Sequence, residues 1–277
     1  MAFNKKPVTG MRDILPAEME VRAALQQTIR ETYRRYGFTE IETPVVEHIG
    51  NLTSRQGGEN EKLIFKVLKR GEKLKLESAK TEDDLTDSGL RYDLTVPLVR
   101  YYSAHSAELP KPFKALQVGP VFRADRPQRG RFREFYQCDI DILGEGTGAA
   151  ETDLLLATST LMGKLGFAGF ILHISDRRIL KAMAAACGIA PADSDKAFII
   201  LDKMDKIGLD GVLREMTESG FSTEVTGAFG ALFAALNYAE DKLSTLEEIL
   251  NEKAAEIPAA SASEEIAGLR QIRSEEH

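Results

Sequence analysis

The chain has 277 residues, 43% apolar and 29% charged, with a net charge of −7. It is long enough for one large domain plus a smaller one, and no apolar run approaches the roughly 20 residues that span a bilayer. Two cysteines and four scattered histidines lack metal-ligand or disulfide spacing, which argues against a zinc site or a disulfide.

The N-terminal MAFNKKPVTG has two lysines but no apolar stretch of signal-peptide type, so the cytoplasm is the expected compartment. Pro16 to Tyr36 is predicted as a helix, with Val21, Leu25, Ile29, Tyr33 and Tyr36 as its apolar stripe and Gly37 at the C′ position. A strand is expected around Ile41, with Pro44 near its end, where a strand tolerates proline. LIFKVL (Leu63–Leu68) reads as a second strand, and the charged run from Lys69 to Asp87 as a solvated loop or hairpin tip. Leu90 to Thr95 returns to strand, with Arg91, Asp93 and Thr95 on one face. Thr95 is then expected to cap a helix that carries Pro97 in its first turn.

Phe122 to Gly144, FRADRPQRGRFREFYQCDIDILG, is the most informative stretch. It reads as two strands joined by a basic, polar loop. Arg123 and Asp125 share a face of the incoming strand. In the second strand, alternation puts Phe132, Tyr136, Cys138, Ile140 and Ile142 on one face and Arg133, Phe135, Gln137, Asp139 and Asp141 on the other. Arginines, an aromatic ring, an amide and acids on one face suit an anionic, planar, amine-bearing ligand. Arginine binds phosphate bidentately, a ring stacks on a purine, and Asp or Gln can hold an ammonium group.

Beyond Gly144 the pattern is almost wholly helical. AETDLLLATSTLMGKLG ends near Gly166, FILHIS is strand-like, and Asp176 caps a helix that closes at Gly188. A capping box at Ser261 and Glu264 is expected to open the last helix. The first 150 residues are close to charge balance, so the later part carries the negative excess. Broad nonspecific nucleic-acid binding by that part is therefore disfavoured.

The stretch from Phe122 closely resembles motif 2 of class II aminoacyl-tRNA synthetases in its histidyl-tRNA synthetase form, down to an acid four residues after the Gln. LRYDLTVPLVRY, TGMRDILP and GGENEKLIF resemble the same family, and the helix–strand–Pro44 arrangement resembles motif 1, its dimer interface. The resemblance implies an α+β fold: an antiparallel sheet flanked by helices over 1–175, followed by a mainly helical insertion-like domain over 176–277 that contacts tRNA. It also implies ATP-dependent activation of histidine, with Mg²⁺, and transfer to tRNA(His) by a homodimer. Arg123 would contact the α-phosphate as the catalytic cation. Phe135 would stack on adenine, with Asp125, Arg131 and Arg133 completing the ATP site. Asp93, Thr95, Gln137 and Asp141 would surround the histidine. Family members continue with further arginine-bearing blocks, motif 3 and an anticodon-binding domain, none of which occurs here, so an N-terminal fragment with impaired activity is expected. The alternatives are a non-catalytic regulatory subunit of ATP phosphoribosyltransferase and a tRNA-binding, dimerising module.

Overall fold

Proline opens the first long helix where its missing N–H has no acceptor to lose. Helix α1 (Pro16–Arg35) carries Pro16 at its start and ends in a Schellman cap. Gly37, at φ +82°, donates to the Arg34 carbonyl at 3.0 Å, and the Phe38 N–H donates to the Tyr33 carbonyl at 3.2 Å. The computed structural model describes residues 3–53 and 59–275. Gly57 and Gly58 of the GGENEKLIF run lie outside them.

Among the described residues the strands are β1 (Thr39–Glu40), β2 (Val46–His48), β3 (Lys66–Leu68), β4 (Thr86–Leu90), β5 (Phe113–Phe122) and β6 (Glu134–Leu143). Helices α2 (Ile49–Leu52), α3 (Glu82–Leu85), α4 (Thr95–His105) and α5 (Ala149–Lys164) complete this part. One sheet has the order β1-β5-β6, with β1 parallel to β5 and β5 antiparallel to β6. The other is antiparallel, in the order β2-β4-β3. The expected α+β class holds, with the β1–β5 pair as its parallel exception.

Alternation along β5 and β6 decides how the first sheet is covered. Leu116, Val118, Cys138, Ile140 and Ile142 pack with Tyr33 and Phe38 and with Ala157 and Leu161 of α5. On the opposite face Phe113 and Ala115 meet Leu98 of α4. The segment before α4 ties the two sheets together through Arg91, which is only 3% exposed. Its Nε donates to the Pro120 carbonyl at 2.9 Å and its Nη1 to the Thr43 carbonyl at 2.7 Å. Gly119 leaves room for it, since a Cβ there would stand 2.5 Å from Arg91 Nη2. In the second sheet Arg100 Nε donates to buried Glu47 at 2.5 Å. Burial would push the Glu47 carboxyl up, but hydrogen bonds from Arg100, the His48 N–H and Asn51 hold it below the usual range.

Several local expectations are corrected. Strand β4 stops at Leu90, and residues 91–94 turn into α4. Asp93, not Thr95, caps that helix, its Oδ1 accepting from the Val96 N–H at 3.0 Å. The strand in LIFKVL forms only from Lys66, after a short 3-10 turn. FILHIS has no regular structure, because a strand needs a neighbour for its backbone groups and no described strand pairs with it. The expected hairpin tip is present between β3 and β4, with short helical turns inside it.

The described residues fall into two compact units, one up to Gly169 and one from Phe170 onward. The second contains α6 (Arg177–Ala186), α7 (Ser194–Leu201), α8 (Met204–Glu218), α9 (Thr223–Tyr238), α10 (Lys242–Ala254) and α11 (Ser263–Glu275). Their apolar faces enclose a core including Ile179, Met183, Val212, Met216, Phe229, Leu250 and Ile266. Asp176 caps α6 as expected, and the chain turns at Gly188. Helix α11 starts at Ser263, past the expected capping box, and Ser263 instead donates to Asn251 at 2.8 Å.

Candidate functional site

The register of β5 and β6 sets the site. Val121 lies opposite Phe135, Gly119 opposite Gln137, Gln117 opposite Asp139 and Ala115 opposite Asp141. Directly opposed residues share a face, so Phe135, Gln137, Asp139 and Asp141 form one row. This is the face on which α4 packs, and the turn before α4 brings Asp93 to the same row. Sequence alternation had separated these side chains from Tyr136, Cys138 and Ile140 correctly.

Arg123 is the first residue after β5, and its N–H still donates to the Arg133 carbonyl at 2.9 Å. Its Nε donates to the Tyr92 carbonyl at 3.0 Å, and its guanidinium lies 5.1 Å from the centre of the Phe135 ring. One hydrogen bond and a ring contact leave the two Nη groups available to an anion. A purine stacking on Phe135 would share the ring with Arg123.

The acidic residues stand in an unusual state. Burial raises the pKa of Asp93, Asp139 and Asp141. For Asp139 the neighbouring Asp141 and Asp93 add to this and Arg123 opposes it, leaving the carboxyl at about 6. Gln137 Oε1 and Asp141 Oδ2 are buried acceptors without a hydrogen-bond partner. Buried acceptors are costly when unpaired, so this row is organised to accept from a donor that the protein itself does not supply. A positively charged N–H group meets both requirements.

Other expected residues lie further out. Thr95 sits exposed in the first turn of α4. Asp125 is in the β5–β6 loop, 3.9 Å from Arg131. Arg133 spends its groups on the backbone: its N–H donates to Gly10 at 2.7 Å, and Nε donates to Asp125 at 3.0 Å. It therefore fastens the N-terminal segment to the loop. Pro44 lies between β1 and β2, where Ile41 N–H still donates to the Leu116 carbonyl at 3.0 Å.

Two further residues were not singled out from the sequence. Asp139 was visible as the acid between Gln137 and Asp141 on the polar face. Glu61, whose Oε1 is also buried and unpaired, gave no signal of its own in ENEKLIF. Among the described residues no group of three or more His, Cys, Asp or Glu side chains could hold a metal ion, and no helix is long and apolar enough to cross a membrane.

Comparison with known proteins agrees with the motifs. The family model described as histidyl-tRNA synthetase matches residues 10–275. A histidine--tRNA ligase from Leifsonia xyli subsp. xyli is 46% identical over 84% of this chain and 55% of its own length. One from Bacteroides fragilis is 38% identical over 92% of this chain and 58% of its own. This chain thus spans little more than half of the curated relatives it matches. Among solved structures, histidyl-tRNA synthetase from Nostoc sp. PCC 7120 superposes with a TM-score of 0.79, at 25% identity, over 99% of this chain and 58% of that one. A protein titled ATP phosphoribosyltransferase regulatory subunit/histidyl-tRNA synthetase from Bacillus halodurans C shares the fold, with a TM-score of 0.72 and 17% identity, over 99% of this chain and 65% of that one.

Proposed function

Because the chain belongs to the histidyl-tRNA synthetase family, we propose that it carries the ATP- and histidine-binding part of a histidine–tRNA ligase. In this reading ATP and histidine react to give histidyl-adenylate and pyrophosphate, and the histidyl group then passes to tRNA(His). The histidine carboxylate attacks the α-phosphate in line and pyrophosphate leaves. The protein's contribution is positioning and charge stabilisation, with no covalent enzyme intermediate.

The observation that carries this reading is the convergence of two chemistries on one strand face. Arg123, over the Phe135 ring, offers Nη donors to the α-phosphate, with the ring beside it for adenine. A few residues along β6, the unpaired Gln137 and Asp141 acceptors and the raised Asp93 offer a place for the amino acid's cationic nitrogens. Asp93 uses one oxygen as the α4 cap, so its other oxygen is the one directed to substrate. Thr95 lies at the rim of this site. Arg131 and Asp125 belong to the loop that closes over the nucleotide, and Arg133 holds that loop in place. Mg²⁺ would accompany the ATP phosphates; the described side chains make no cage for it. The mainly helical part from 176 onward acts as the insertion-like domain beside the tRNA acceptor arm. The protein works as a cytoplasmic homodimer.

The test is histidine-dependent exchange of pyrophosphate into ATP, by this chain alone and by the chain extended with the C-terminal half of a curated relative. Absence of one preorganised donor costs on the order of 10²–10³ in rate. The chain alone should therefore run near background and the extended form should exchange. Failure of both to exchange with histidine would sink the reading, and specific capture of an ATP phosphoribosyltransferase catalytic subunit would replace it with the regulatory one.

A further inference from the structure

Asp139 stands at the centre of the polar row, between Gln137 and Asp141. Its register partner is Gln117, 2% exposed, which is already engaged: Nε2 donates to the Leu94 carbonyl at 3.0 Å. The charged groups around Asp139 come from three directions. Asp141, the strongest of them, lies two residues along β6, Asp93 approaches from the turn before α4, and Arg123 from the β5–β6 loop. Cys138, the neighbour on the opposite face, is a half-buried thiol that desolvation pushes up to about 12, so it stays neutral. With three carboxylates and one guanidinium, the fully ionised row has an excess of negative charge.

Building on the proposed function, we propose that Asp139 is a specificity-determining residue of the amino-acid pocket that exchanges its own proton for the positive charge of the incoming substrate. Empty, the row relieves its repulsion by keeping Asp139 partly protonated. When a ligand bearing an ammonium group and an imidazole enters between Asp93, Gln137 and Asp141, the repulsion is cancelled and Asp139 ionises. The proton goes to solvent, and no bond to the ligand is made or broken. A neutral or acidic amino acid side chain would leave the excess charge uncompensated, so the pocket discriminates by charge as well as shape. The grouping suits an organic cation: no three acids among the described residues could share a metal ion.

Calorimetry with histidinol, which keeps the amine and imidazole but not the carboxylate, tests this at pH 6 in two buffers of different ionisation enthalpy. Asp139, with its carboxyl at about 6, is about half protonated there. The parent should release about half a proton per site more than Asp139→Asn does, the titration of the ligand's own imidazole being common to both. Asp139→Glu, which keeps the charge, should restore the release. The affinity of Asp139→Asn at pH 8 should fall about tenfold or more, the scale of a lost interaction with a charged group. Equal proton release by the parent and Asp139→Asn, with histidinol bound to both, overturns this proposal and leaves the histidine–tRNA ligase reading standing. If the parent binds neither histidinol nor histidine, both fall. Should Asp139→Asn not fold, the carbon-13 titration of the Asp139 carboxyl in the parent decides. Saturation with histidinol should move its midpoint down, and an unmoved midpoint rejects the idea.

Discussion

Arg123 shows how much a single side chain can be asked to do. Its Nε is fixed on the Tyr92 carbonyl and its guanidinium lies over the Phe135 ring, so its remaining donors are held in place before any ligand arrives. A preorganised guanidinium loses little on binding phosphate. Replacing Arg123 by Ala should weaken ATP binding by roughly 1.5–3 kcal/mol, the range for a hydrogen bond to a charged group, with little change in circular dichroism. Calorimetry giving the parent's ATP affinity would remove Arg123 from the site. Asp139 is the contrasting case. Its folded-state pKa lies above the ordinary carboxylate value. The stability it contributes is therefore present at low pH and is lost as pH rises toward about 6. That is a local cost, of the kind expected where binding rather than folding sets the residue.

At the scale of elements, caps and pairing partners decide what forms. Asp176 begins α6 by accepting from the Arg178 N–H at 2.7 Å, and the Arg178 guanidinium adds an ion pair at 2.7 Å. The Arg178 hydrogen bond holds the Asp176 carboxyl below the usual range, against a smaller push from burial. A lowered folded-state pKa gives stability that is present above the unfolded value and lost as pH falls through the folded one. Asp176→Ala should destabilise the helical unit by about 1 kcal/mol at neutral pH, and the difference should shrink below about pH 4. Urea unfolding followed by helical circular dichroism measures this. A difference that does not change between neutral and acid pH would show that the ionised cap is not its source. The β-rich segments follow the other rule: Lys66–Leu68 is a strand because β4 lies beside it, whereas FILHIS has no described neighbour.

For the whole molecule, the question is which surfaces are finished. Helix α1 uses only part of its stripe, with Ile29, Tyr33 and Tyr36 packing on the sheet. Val21 and Leu25 remain 61% and 46% exposed, because they lie toward the helix's other end. An exposed apolar stretch of this kind suits the isologous contact of the proposed homodimer. Sedimentation of the parent at high concentration should give a dimer, and Leu25→Asp should shift it toward monomer without loss of helix. A clean monomer for the parent would refute the assembly.

The row of Phe135, Gln137, Asp139 and Asp141 was determined by the sequence alone, because side chains in a strand alternate with period two whatever surrounds them. The α1 cap at Gly37 and the α6 cap at Asp176 were equally legible, since each depends on residues a few positions apart. Motif spacing likewise placed the chain's family before any coordinates. Other features needed the folded chain. Whether Asp93 or Thr95 capped α4 depended on where β4 stopped, and that was set by its pairing with β2 and β3. Arg133 looked like a ligand-facing cation until Thr9 and Gly10, far away in sequence, came to lie against it. The raised pKa of Asp139 arises from burial, from its strand neighbour Asp141 and from Asp93, which reaches it across the fold. Charge in a sequence is a property of residues, but the energy of that charge depends on distance and desolvation, and only the tertiary structure fixes those.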